Sequence, residues 1–409
     1  MSTGYDVIVV GARCAGSPTA MLLARSGHRV LLVDRATFPS DTMSTHLIHA
    51  PGVAALKRWG LLEQLEATGC PPIGRYVFDL GPFTIAGSPR QVEGAPAALC
   101  PRRIVLDDLL VRAAVAAGAE LRESFTVDEV LVEDGAVTGV RGHAKGGATV
   151  TERARVVIGA DGRHSLVAKA VRPEQYNDVP TLQVGYYAYW SGLPTAGAEF
   201  FARGEGRRGW AALPTHDDLT CVVVGWPRSQ FEANRRDYEG SYMRTFDLAP
   251  EFAERMRGAT RATRFAGVSE MPGFFRKPYG TGWALVGDAG YNKDPITAYG
   301  ISDAFRDAAA VSAAVGDALA GRRPYDEAMA ATQKARDDAS LALYGLTCEF
   351  AKNEPPPVEM QALLGAVATS PAASDDFASV MAGALPAAEF FAPDNVGRII
   401  AEAGATAGG

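Results

Sequence analysis

The chain has 409 residues, of which 47% are hydrophobic and 21% charged, with a formal charge of −7 at pH 7. That balance fits an ordinary globular protein of two or three domains. Its mild, interspersed charge offers no surface for nucleic acid or for an anionic membrane.

No positive segment followed by an apolar stretch precedes the first strand pattern, so no secretory signal is expected. No run approaches the roughly 18 apolar residues that span a bilayer. The cysteines (Cys14, Cys70, Cys100, Cys221, Cys348) are scattered and form no CxxC pair. They read as buried thiols in a reducing cytoplasm, with no disulfide framework and no metal site.

In chain order, Tyr5–Val10 is a β-branched run that stops at Gly11, as a buried parallel strand does. Gly11-Ala-Arg-Cys-Ala-Gly16 then leads into an Ala/Leu-rich helix from about Ser17 to Arg25. The strand Arg29–Val33 closes a β-α-β unit at Asp34. A polar, irregular stretch from Arg35 to His49 precedes a helix near Gly52, and Tyr76–Gln91 reads as strand and turn. A helix over Arg103–Ala117 is followed by strands at Glu120–Ser124, Thr126–Glu133, Val137–His143 and Thr149–Gly159.

From Pro173 to Phe275 aromatic-rich strand patterns appear at Leu182–Trp190, Glu199–Arg203, Gly209–Pro214 and Leu219–Trp226, then a polar helical stretch over Ser229–Met256. The strand Trp283–Val286 and a long helix over Gly300–Leu319 restore the first pattern, and the remainder is helical.

The Gly11–Gly16 turn has the layout of a dinucleotide site. A pyrophosphate needs free N–H groups at a helix N-terminus and no side chain in its approach. Here Gly11 permits the tight turn, Gly16 lets helix and strand pack, and Cys14 and Ala15 line the loop. The middle glycine is replaced by Arg13, whose guanidinium either contacts phosphate or breaks the site. Asp34 lies 18 residues after Gly16, where a carboxylate accepts adenosine ribose hydroxyls, with Arg35 beside it. This favours FAD or NAD over a 2′-phosphorylated cofactor.

Downstream, Gly287-Asp288-Ala289, Pro295, Gly300 and Asp307-Ala308 match the long GD motif of FAD-dependent monooxygenases of the para-hydroxybenzoate hydroxylase and geranylgeranyl reductase type. The chain resembles that superfamily. It departs at Gly290, Tyr291, Ala298 and Ser302, where the family has alanine, histidine, glycine and asparagine. The resemblance implies that Asp288 binds the ribityl hydroxyls and that the helix start around Pro295, Ala298, Gly300 and Ile301 faces the flavin. Asp161-Gly162 with Ser165 is similar to the family's DG motif, although Ala168 stands in place of its arginine. Arg103-Ile-Val-Leu-Asp107 is similar to the helix start whose arginine reaches the cofactor, and Val127 falls where the family's backbone meets adenine. Ser44, Thr45 and His46 lie on the loop that passes the isoalloxazine in the family.

The implied fold is α/β: a Rossmann-like FAD-binding domain (1–75, 98–172 and 276–340), an inserted α+β substrate domain (76–97 and 173–275) and a helical C-terminal region (341–409). The implied activity is a monooxygenase, a hydroxylase or epoxidase, acting through a flavin C4a-hydroperoxide on an aromatic or hydrophobic small molecule. NADH or NADPH would be the electron donor, or a separate flavin reductase would supply the electrons. A reductase of the geranylgeranyl type is the alternative. A flavin halogenase fits less well, because no lysine occurs between Lys57 and Lys145 and the strand around Trp210 lacks a second tryptophan. A non-catalytic flavin-fold binding protein also fits less well.

His46, Tyr299 and Trp210 are the candidate catalytic side chains. A histidine's ordinary pKa near neutrality suits acid or base work or a covalent flavin link, but a loop histidine with only local hydrogen bonds is the simpler and favoured account of His46. Tyr186, Tyr187, Tyr189, Trp190, Phe200, Phe201 and Trp210 either line an aromatic pocket over the flavin or pack an ordinary sheet. Asp294 and Tyr299 border the same region by motif position.

Overall fold

In the computed structural model, which describes residues 4–204 and 206–407, the run Tyr5–Val10 is the central strand of a parallel sheet. It pairs with Val30–Val33 on one side and Thr149–Gly159 on the other, Val9 lying opposite both Leu32 and Ile158. Glu120–Arg122 extends one edge and Trp283–Leu285 the other, both in parallel. Val7, Ile8 and Val9 are wholly buried because both faces of this sheet are covered, which is why the strands read as unbroken apolar runs. Helices Gly16–Arg25, Arg103–Ala116 and Gly300–Leu319 pack on Val7, Val9, Val30 and Leu32. On the opposite face, Ile8, Val10, Leu31 and Val33 meet Phe125, Val130 and Val140 of an antiparallel meander built on Thr149–Gly159.

A second sheet has the order Thr260–Arg261, Gln183–Ser191, Leu219–Pro227, Arg208–Pro214, Ala198–Arg203, Tyr76–Asp79 and Thr84–Gly87. Alternation along its strands divides the aromatic residues between two faces. Tyr187, Tyr189 and Phe200 point to the inner core, whereas Tyr186, Trp190, Phe201 and Trp210 point outward. The outward set is roofed by Tyr238–Thr245 and Pro250–Gly258. Of the seven rings singled out in the sequence, strand periodicity thus leaves three on the inner face and turns four outward. Ser229–Met256, read from sequence as one helical stretch, is a series of short helices and turns. Asp237 breaks it by capping Gly240 N, and Pro250 restarts it.

The helix Tyr325–Ala351 crosses back over the first unit, and Val358–Thr369 and Pro371–Met381 lie on the inner face of the second sheet. There Phe377 meets Phe78 edge to face, with ring centroids 5.2 Å apart. No helix among the described residues is long and apolar enough to cross a membrane.

Candidate functional site

The parallel strands end in register. Gly11 N donates to Val33 O, Ala160 N to Val10 O and Val286 N to Gly159 O, at 2.8–3.0 Å. The loops that leave these carboxyl ends share one crevice, the place where open α/β sheets bind ligands. Their closeness depends on glycine. A Cβ on Gly11, which has φ +103°, would stand 2.5 Å from Ala160 O, and one on Gly16 would stand 1.7 Å from Gly11 O. A Cβ on Gly287 would meet that of Ala15 at 2.8 Å. The Asp161 loop and the Asp288 loop therefore each touch the first glycine loop, although all three lie far apart in the sequence.

Asp34 closes the first loop from beneath. Its two carboxylate oxygens accept from Ala12 N at 2.7 Å and Ala36 N at 2.8 Å, which leaves a lone pair on each. Arg35 beside it is exposed. Phe125 N donates to Asp34 O at 2.9 Å and opens the strand Phe125–Glu133, so Val127 lies two residues from this corner, with its side chain in the far-face core.

Arg13 does not stand free in the turn. Its Nη1 donates to Asp107 Oδ2 at 2.6 Å and its Nη2 to Ser40 Oγ at 3.0 Å. The fully buried Asp107 also receives Arg103 through Nε and Nη2 at 3.0 and 2.9 Å, and Cys14 Sγ at 3.3 Å. One carboxylate thus joins the degenerate position of the glycine loop to the Arg103 helix.

Asp161 accepts from Leu166 N at 2.6 Å through Oδ2, while its buried Oδ1 has no partner. Asp288 is exposed along the cleft between buried Gly287 and Ala289. The cleft walls desolvate its carboxyl and raise it above the ordinary range, against the pull of Arg103 and Arg163. Opposite, the turn Pro295–Thr297 and Ala298 (φ +55°) feed the 20-residue helix that begins at an exposed Gly300. Ile301 behind it is buried in the core of the first unit.

Residues 4–343 match the family described as an FAD binding domain. The chain belongs to this family. It is 28% identical over 333 residues to 6-methylpretetramide 4-monooxygenase of Streptomyces rimosus, a match that covers 78% of this chain and 76% of that protein. It is 28% identical over 393 residues to the phenazine 1,6-dicarboxylic acid hydroxylase PhzS of Lysobacter antibioticus, covering 84% and 92%. Digeranylgeranylglycerophospholipid reductase of Methanocella arvoryzae is 27% identical over 310 residues, covering 74% and 75%. Among solved structures, the flavin-dependent brominase Bmp2 shares the fold with a TM-score of 0.82 at 20% identity, covering 99% of this chain and 100% of that one.

In this FAD-binding chain the three candidate catalytic side chains have different surroundings. His46 is fully buried in a left-handed conformation, φ +65°. Its Nε2 lies 2.6 Å from Tyr189 Oη, its ring meets Tyr187 and Tyr189 edge to face, and its Nδ1 has no partner. Burial holds the imidazole down to about 3, with Arg103 adding to the effect, so the ring is neutral near pH 7. Ser44 Oγ accepts from His46 N at 3.0 Å and Thr45 O from Leu47 N at 2.8 Å, so both residues shape the loop.

Tyr299 points away from the crevice, its hydroxyl on Met381 O at 3.2 Å and Val380 O at 3.4 Å. Trp210 is stacked on Phe201 at 4.7 Å on the outer face of the second sheet. Strand alternation separates it from Tyr187 and Tyr189, which lie on the inner face.

Sequence reasoning passed over His49 and Lys293. His49 joins Tyr76 to Thr297. Lys293 is buried, with Nζ 2.5 Å from Asp303 in the first turn of the Gly300 helix. A lysine inside the long motif was the available signal.

Proposed function

We propose that this protein is an FAD-dependent monooxygenase that acts on an aromatic or hydrophobic small molecule, with NADH, NADPH or a separate flavin reductase supplying electrons. The observation that carries the reading is the meeting of four separate motifs in one crevice whose glycines leave no room for a side chain. Relatives named as a monooxygenase and a hydroxylase support the choice of reaction.

The residues present fit FAD. The N–H groups at the start of Gly16–Arg25 suit the pyrophosphate, and the free lone pairs of Asp34 suit the adenosine ribose. Asp288 is placed for the ribityl hydroxyls, and the unpartnered Asp161 Oδ1 is a further acceptor at the same crevice. Arg103, held by Asp107, sets a positive charge within electrostatic reach of Asp288. The helix start at Gly300 suits the flavin edge that carries negative charge on reduction. When bound, FAD supplies the electron transfer and the activation of dioxygen.

The chain's own contribution is to position the substrate and exclude water. His46 and Tyr187 with Tyr189 form the polar and aromatic wall where the second sheet meets the crevice. The neutral imidazole, held on Tyr189 Oη, brings no charge to that wall. The cost of its left-handed backbone, about 1–2 kcal/mol, accords with a functional position.

The purified protein is expected to show the visible bands of bound flavin, to bleach with NADH, NADPH or a flavin reductase, and to recover under air. A protein that takes up no FAD overturns the reading. A protein that is reduced but hands its electrons to a prenyl double bond and not to oxygen belongs with the reductase relative. His46→Ala, which leaves the Tyr189 hydroxyl without its partner, is expected to retain FAD and lose about 10- to 100-fold in kcat/KM; unchanged kinetics would remove His46 from the site.

A further inference from the structure

His49 belongs to none of the cofactor motifs, yet three parts of the molecule meet on it. It follows the His46 loop and opens the helix Ala50–Trp59. Its Nε2 lies 2.9 Å from Thr297 O, its Nδ1 2.8 Å from Tyr76 Oη, and its backbone N–H donates to Ser302 Oγ at 3.1 Å. The ring rests on Tyr299 with centroids 4.3 Å apart.

A backbone carbonyl only accepts, so Nε2 carries the proton, and Nδ1 then accepts from the Tyr76 hydroxyl. Burial, with Lys293 adding to it, holds the imidazole down to about 4, so this single tautomer persists across neutral pH. Every polar atom of the side chain is used.

Thr297 immediately precedes Ala298, whose left-handed backbone carries a Cβ that glycine would spare. Such a conformation persists where its surroundings over-determine it. His49 holds Thr297 through its carbonyl on one side, and Thr347 holds it through Oγ1 at 2.9 Å on the other. Without His49 the Thr297 carbonyl, in a buried residue, would lose that partner.

We infer that His49 is a positioning residue for the cofactor: it sets the turn at Thr297–Gly300, and so the helix start, relative to the second-sheet strand that carries Tyr76. The inference rests on reading Gly300 as the flavin-edge helix start. The field of a helix end falls off within one turn, so a small displacement of that turn changes how well the reduced flavin is held relative to the oxidised one.

The test uses FAD-loaded protein and reads midpoint potential and visible band shape, with circular dichroism as the control for folding. His49→Ala is expected to lower the preference for reduced over oxidised flavin about tenfold, and to alter the band shape. His49→Gln, whose amide N–H reaches toward Thr297, is expected to recover most of that loss. Ser302→Ala is expected to shift the preference about two- to threefold in the same direction. A folded, loaded His49→Ala with the parent potential and spectrum overturns the inference. Should His49→Ala fail to fold, a Ser302→Ala protein identical to the parent overturns it as well. Failure of the parent protein to load FAD is a different result: it removes the cofactor reading before any variant is compared.

Discussion

At the scale of single residues, burial keeps His46 and His49 neutral and holds the Asp294 carboxyl above the ordinary range. Asp294 shows the consequence most directly. Its Oδ1 accepts from Ile296 N at 3.0 Å, its Oδ2 is buried without a partner, and burial pushes the carboxyl up to about 7. Below about pH 4 folded and unfolded chains both keep this proton, and nothing is lost. As pH rises from there the unfolded chain ionises while the fold retains the proton, so stability falls until about pH 7. Asp294→Asn removes the titration and keeps the Oδ1 acceptor. It is expected to raise stability by about 1–4 kcal/mol at pH 8 and by little at pH 4.5. Urea unfolding of the two proteins at both pH values measures this; an equal difference at both would show that Asp294 ionises normally.

At the scale of elements, Asp107 joins the helix Arg103–Ala116 to the glycine loop. It is fully buried and bonds Arg103, which is nearly as buried, and Arg13, which is about a quarter exposed. Removing one partner of a buried pair leaves the other charge uncompensated, so Asp107→Ala is expected to cost about 3–5 kcal/mol. A double-mutant cycle with Arg13→Met checks the assignment, and a coupling near zero would mean that the loop is held by other contacts.

The first β-α-β unit was legible in the sequence because strands buried on both faces read as unbroken apolar runs, and Gly11 and Gly16 punctuate the turn between strand and helix. The second sheet was legible as strands, but the facing of its aromatics was not. Assigning Trp210 to the outer face required the register with Phe201 and Val224.

At the scale of the whole molecule, the C-terminal helices complete the core on which the second sheet rests. Phe377 is buried against Phe78 and Phe390, and a Cβ on Gly87 would stand 2.2 Å from Ser374 O. The region read as a helical tail is therefore part of the core under the second sheet. Phe377→Ala is expected to cost about 3–5 kcal/mol and to lower Tm, with flavin binding at the distant crevice retained where the fold holds. A loss under 1 kcal/mol in denaturant titration would mean that these helices pack loosely on the sheet. The helix Tyr325–Ala351 has a similar reach: Arg336 donates to Gly290 O at 3.3 Å and to Arg276 O at 3.1 Å, bracing the loop that presents Asp288.

The sequence by itself determined the class of fold and the loops that meet at the ends of its parallel strands. Both rest on local patterns: apolar runs of strand length, glycines where a turn admits no Cβ, and acids at strand ends. Tertiary structure alone decided what Arg13 binds, that His46 is buried and neutral, that Tyr299 points away from the crevice, and that His49 ties Tyr76 to Thr297. Each of these depends on partners tens to hundreds of residues away, and a side chain's charge state follows from the burial that those partners create.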